Sequence, residues 1–204
     1  MKRIILVALL AMALPMAAFA SGQVDFTNSG GTLSGTTAGL SLTGSMLTVV
    51  NGFGGLGMVT GDLGSVTFST GAFTGGPKGL QQSGSFAAGG SFVITGNGTN
   101  GIPNATLFSG SFTGPVVWTL VTLANGTHNY TLQGPISGTW YGATAPFSGA
   151  TVQLTINTGK GFFNGSTNIS SGDTNVAVPE PGTLGLLGTG LIGLAGVLRR
   201  RVKS

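Results

Sequence analysis

Hydrophobic and polar residues alternate one by one through most of the middle of the chain. In Thr151-Val152-Gln153-Leu154-Thr155-Ile156, the residues Val152, Leu154 and Ile156 fall on one face and their polar neighbours on the other. That is the period of a half-buried β-strand. Residues 65–69 repeat it with Val66 and Phe68 inward, and residues 24–27, 40–42, 46–50, 91–95, 106–112 and 129–132 are further strand candidates. The stretch from Val116 to Leu123 is apolar on both faces, which predicts a central strand buried on two sides. Asn125-Gly126 after it is a hairpin-turn signal. No stretch between the two ends of the chain sustains a helical period. About ten short strands at intervals of roughly ten residues predict an all-β body, an antiparallel β-sandwich or jelly roll. A β-solenoid is the alternative. Gly84-Ser85-Phe86, Gly90-Ser91-Phe92 and Gly110-Ser111-Phe112 recur, but too unevenly for a steady solenoid period.

The two ends depart from this pattern. Lys2-Arg3, the apolar run from Ile4 to Leu14, and Ala18-Phe19-Ala20 have the order of a secretory signal peptide. This predicts export through the secretory translocon and cleavage by signal peptidase between Ala20 and Ser21. At the other end, Pro179 and Pro181 hold Glu180 in a stiff, extended segment that an enzyme cleft can grip. The uncharged run from Gly182 to Leu198 follows; as a helix it is about 25 Å long, the short end of what spans a bilayer core. Arg199, Arg200, Arg201 and Lys203 then act as a stop-transfer cluster that favours the cytoplasmic side. Gly185, Thr189 and Gly193 form a small-residue stripe on one face of that helix.

This order of parts resembles the PEP-CTERM sorting signal of bacterial surface and exopolysaccharide-associated proteins. Pro179-Glu180-Pro181, the Gly/Leu-rich span and the arginine cluster carry the resemblance, which covers residues 178–204 alone. It implies a membrane-embedded exosortase that recognises and cuts the tail. The competing reading is an ordinary single-pass anchor with a proline-rich stalk. The expected organisation is a signal peptide (1–20), a β-rich exported domain (21–165), a polar stalk (166–178) and a sorting tail (179–204) with its transmembrane helix at 182–198. The body then lies outside the cytoplasm, held at the inner membrane until the tail is processed, and afterwards at the cell surface or in the extracellular matrix.

Charge changes the picture less than the formal +4 suggests. Lys2 and Arg3 leave with the signal, and four of the remaining basic residues lie in the tail. Between residues 21 and 177, Lys78 and Lys160 face Asp25, Asp62 and Asp173, so the body is close to neutral. A nucleic-acid partner needs clustered Lys and Arg on the body, and the sequence has none there. Only 6% of the residues are charged, so the polar surface must consist of Thr, Ser, Asn, Gln and backbone. Cysteine is absent, so packing and hydrogen bonds alone hold the exported body.

Candidate chemistry is sparse. Gly52-Phe53-Gly54-Gly55-Leu56-Gly57 matches the dinucleotide-binding pattern, but Met58-Val59-Thr60-Gly61 follows where a helix is required, so it reads as a glycine loop. His128, the single histidine, reads as a surface-turn residue with no acid near in sequence to complete a triad. The three body aspartates are too scattered in sequence to suggest a carboxylate pair or a calcium loop. A zinc site lacks its thiolates and histidines. Six Asn-x-Ser/Thr triplets, beginning at Asn97, Asn104, Asn125, Asn129, Asn164 and Asn168, read as by-products of Asn-rich turns. Trp118 reads as core. Trp140 and Tyr141 are adjacent, so on a strand one faces in and the other out, where it could stack on a sugar ring. The sequence therefore predicts no catalytic residue, cofactor or metal. It predicts a non-enzymatic surface or matrix protein, with a carbohydrate-binding or adhesion module as the alternative and an exported hydrolase as the least supported reading. The expected partners are an exosortase-like enzyme, the membrane and extracellular polysaccharide.

Overall fold

The computed structural model describes residues 22–76, 79–143 and 147–178. Thirteen strands account for most of them: β1 (Gly22–Ser29), β2 (Thr32–Thr36), β3 (Gly39–Asn51), β4 (Met58–Ser69), β5 (Phe73–Gly75), β6 (Gly84–Phe86), β7 (Gly89–Gly96), β8 (Thr106–Phe112), β9 (Val116–Thr122), β10 (His128–Trp140), β11 (Phe147–Asn157), β12 (Ser166–Asn168) and β13 (Ser171–Val178). The alternating pattern does form strands. They do not divide into the two facing sheets of a sandwich or jelly roll, nor into the rungs of a solenoid. A single antiparallel sheet closes on itself instead. The path runs β1-β3-β4-β7-β8-β10-β11-β13, and β13 lies beside β1. These eight strands follow one another around the barrel in chain order, an up-and-down arrangement. Period-2 alternation fixes which side of a strand is buried but not which strand covers it, so closure was not readable from the pattern.

The long strands change partners along their length. One edge of β3 pairs with β4; the other takes β1 at residues 46–51 and β2 at residues 39–43. The register carries through unbroken from Ser29↔Met46 to Thr32↔Thr43, so β1 and β2 are one bent strand. Residues 40–42 and 46–50, expected as separate strands, likewise form the single strand β3, with a bulge where Gly44 takes φ 67°. β10 offers one edge to β11 and shares the other between β9, at His128–Gln133, and β8, at Ile136–Trp140. β9, β6 and β5 therefore extend the sheet outward as a flap.

Inward residues of β4, β7 and β8 form an aromatic cluster. Phe68 stacks on Phe92 at 6.0 Å, and Phe112 meets both rings edge-on. Phe26, Leu33, Leu47, Ile94, Leu132 and Ile156 are fully buried around it. Each such side chain contributes about 1.5–3 kcal/mol when removed from water. The outward residues are polar and pair like with like across β10 and β11: Asn129↔Asn157, Thr131↔Thr155 and Gln133↔Gln153. Apolar inside and polar outside is the reverse of a transmembrane barrel, whose apolar band faces lipid.

Two further expectations are corrected. Residues 166–178 are not a free polar stalk, because they supply β12 and the closing strand β13. Burial alternates along β13, with Gly172, Thr174 and Val176 inward, and this small, partly polar inner face hid the strand. Val116 to Leu123 is not a doubly buried central strand. It lies in the flap, where Val116 and Trp118 are covered while Val117, Val121 and Leu123 are exposed. The predicted turn at Asn125-Gly126 does join β9 to β10: Gly126 takes φ 81°, and the Leu123 amide donates to the Thr127 carbonyl at 2.8 Å.

Candidate functional site

The candidate site has a carboxyl pair on the barrel wall at its centre. Because β1 lies beside β13, Asp25 and Asp173 come within hydrogen-bonding reach of each other. The sequence reading, which held the aspartates too scattered to pair, is corrected here, since barrel closure joins the two ends of the body. Burial pushes the Asp25 carboxyl up to about 6; the hydrogen bond to Asp173 and its negative charge add to this, while the Phe26 amide opposes it. Oδ1 of Asp25 is buried and finds no donor. Asp173 accepts from Thr27 Oγ1 at 3.4 Å and from Asn175 Nδ2 at 3.2 Å. Next to the pair is a recess of about 320 Å³, lined by Thr27, Gln153, Thr155, Ser171, Gly172 and Asp173. Among the described residues, no three His, Cys, Asp or Glu side chains gather to hold a metal ion.

The second feature is the end of the barrel around Phe53. Residues 52–57 do form a glycine loop, with a short 3-10 turn at Phe53–Gly55, and a strand rather than a helix follows. Phe53 is buried and its ring lies 5.3 Å from Trp140, which also meets Phe26 at 5.8 Å. Trp140 ends β10 half-buried. Tyr141 is the first residue beyond the strand and 45% exposed, its ring 6.0 Å from Phe53 and its amide donating to the Leu107 carbonyl. Leu56 and Met58 are also exposed at this loop.

His128 is not a surface-turn residue. It begins β10 and is buried, its ring stacked on Phe162 at 4.4 Å and its Nδ1 3.0 Å from Thr122 Oγ1. Lys160 and Phe162 lie on the loop that covers it, and among the described residues no carboxylate is hydrogen-bonded to it. Trp118 is fully buried, as expected.

Ala20, Ser21, Pro179, Glu180, Pro181, Arg199, Arg200, Arg201 and Lys203 lie outside the described residues, as do the expected signal peptide and the helix at 182–198. Among the described residues no helix is long and apolar enough to cross a membrane. The last barrel strand ends at Val178, so the tail follows it in sequence with no intervening linker.

No curated protein and no solved structure matches the chain. A family model described as the PEP-CTERM protein-sorting motif matches residues 177–201. The chain carries a PEP-CTERM sorting motif there, which implies an exported protein processed by an exosortase.

Proposed function

We propose that this is a non-enzymatic protein of the bacterial cell surface or extracellular matrix, delivered by the secretory route and cut at its tail by an exosortase-like membrane enzyme. The sorting motif at residues 177–201 carries the reading. Its setting supports it. The expected signal cleavage between Ala20 and Ser21 falls just before β1, and Pro179-Glu180-Pro181 follows β13 directly. Processing at both ends therefore leaves every barrel strand in place. Before processing, residues 182–198 hold the chain in the inner membrane and Arg199, Arg200, Arg201 and Lys203 stay in the cytoplasm. The uncharged outer ladder of Thr, Asn and Gln suits a protein that works outside the cell among hydrated polymers. Fractionation of a host with and without its exosortase gene tests the proposal. Loss of the enzyme should trap the body in membranes with its tail intact; an unchanged distribution contradicts the sorting role.

The exposed ring of Tyr141 favours a second reading, a carbohydrate-binding module on the same route. An exposed aromatic face of this kind can stack on the apolar face of a neutral sugar ring. It predicts binding to an envelope or matrix glycan that Tyr141→Ala weakens. A hydrolase is the least supported reading, since residues 21–177 hold one histidine, stacked on Phe162, and three aspartates.

A further inference from the structure

The join between β1 and β13 differs from the other joins around the barrel. Each of the others links one barrel strand to the next barrel strand along the chain, whereas this one links the first barrel strand to the last. It can part without breaking any hairpin. Its outer face holds a carboxyl pair, and in the ionised state neither carboxyl can donate a hydrogen bond to the other. Yet Asp25 Oδ1 is buried with no donor, which is costly for a carboxylate oxygen. A proton held between the two carboxyls removes the first problem, and the second as well when it lies on Oδ1.

We propose that Asp25 and Asp173 form a proton-sharing latch across the barrel seam, closed in acid and loosened towards neutral pH. The surroundings leave this pair in control. From β3, Asn51 stands opposite Asp25, and from β11, Gln153 stands opposite Asp173. Thr155 and Ser171 line the adjoining recess, while Gln23 and Asn175 bridge the seam by an amide hydrogen bond. None of these titrates, and among the described residues facing the pair from β1, β3, β11 and β13 no cation is present to hold two carboxylates together. Below the latch pH one proton bonds the strands. Above it two negative charges face each other across them, and β13 and β1 are held by their backbone ladder, the amide bridge, the Thr27–Asp173 contact and their inward side chains.

The sign follows from linkage. The folded-state value for Asp25, about 6, lies above its ordinary 3.8. Its contribution is therefore complete below 3.8 and is lost as pH rises through about 6. Hydrogen exchange of the full chain in neutral detergent micelles, corrected for the intrinsic pH dependence of exchange, tests the latch. Amides of residues 24–29 and 172–176 should open about fivefold to twenty-five-fold more often at pH 7.5 than at pH 4.5, while those of residues 92–95 stay unchanged. Asp25→Asn, which can donate to Asp173 at every pH, should abolish the difference. If that variant fails to fold, Asp173→Asn should shrink it by removing the facing charge. Seam exchange that is flat with pH overturns the proposal. So does a pH step that survives both substitutions, or one that EDTA removes, which would assign the carboxyls to a cation.

Discussion

Trp118 lies flat against Tyr130, their ring centroids 4.8 Å apart and their planes inclined by 20°. The pair forms the floor of the flap, and Phe163 closes it edge-on at 5.5 Å from Trp118. Polar tips tie the surrounding chain to the stack. Trp118 Nε1 donates to the Leu80 carbonyl at 2.9 Å, while the Tyr130 hydroxyl donates to the Gln81 carbonyl at 2.8 Å and accepts from the Phe163 amide at 3.0 Å. Tyr130→Phe keeps the stack but leaves two backbone groups without partners. It should lower stability by about 1–3 kcal/mol, seen as a lower urea midpoint with an unchanged slope. A midpoint equal to wild type would mean that water replaces the hydroxyl.

Gly110 and Gly138 are cross-strand partners between β8 and β10. A Cβ on Gly110 would run into the Ser137 carbonyl oxygen, and a Cβ on Gly138 into that of Ser109. Both obstacles are backbone, so neither can turn aside. Gly110→Ala and Gly138→Ala should each cost about 2–4 kcal/mol, at or above the upper end of ordinary overpacking. Gly126→Ala meets no atom within 4 Å, and only its φ of 81° opposes it, so it should cost about 1 kcal/mol. Thermal unfolding of the three variants checks the order.

Asp25 gives the body an acid-favouring term in its stability. Raising its value from 3.8 to about 6 corresponds to about 3 kcal/mol between acid and neutral pH. Solvent access to a half-buried site reduces this to the order of 1–2 kcal/mol. The melting temperature should therefore fall between pH 4.5 and 7.5 in wild type and less so in Asp25→Asn. A melting temperature that rises over this interval contradicts the assignment.

The tail was legible because its signal is local: two prolines around Glu180, an uncharged run and an arginine cluster, all contiguous. Strand faces were legible for the same reason, since Val152, Leu154 and Ile156 carry their own alternation. What depends on contacts between distant parts of the chain was not. The barrel closes through β1 and β13, whose inner faces include Asn28, Gly172 and Thr174, too small or polar to announce a core strand. The pairing of Asp25 with Asp173 follows only from that closure. Val117 and Val121 mimicked a buried strand because nothing in their sequence records that β9 is covered on one face.

Glu180 should matter for processing and not for folding. Glu180→Ala should leave the urea midpoint of the body within about 0.5 kcal/mol of wild type, as is usual for a site away from the core. It should nevertheless retain the protein in membranes. Release at the wild-type level would remove Glu180 from the recognition signal.

The most direct test is the mass of the mature C-terminus, measured separately on protein from membranes and from the extracellular matrix. Matrix protein should end at or shortly after Val178, with the Gly182-to-Ser204 segment gone and all of β13 retained. Protein found only in membranes and ending at Ser204 would contradict it and make the tail a plain anchor.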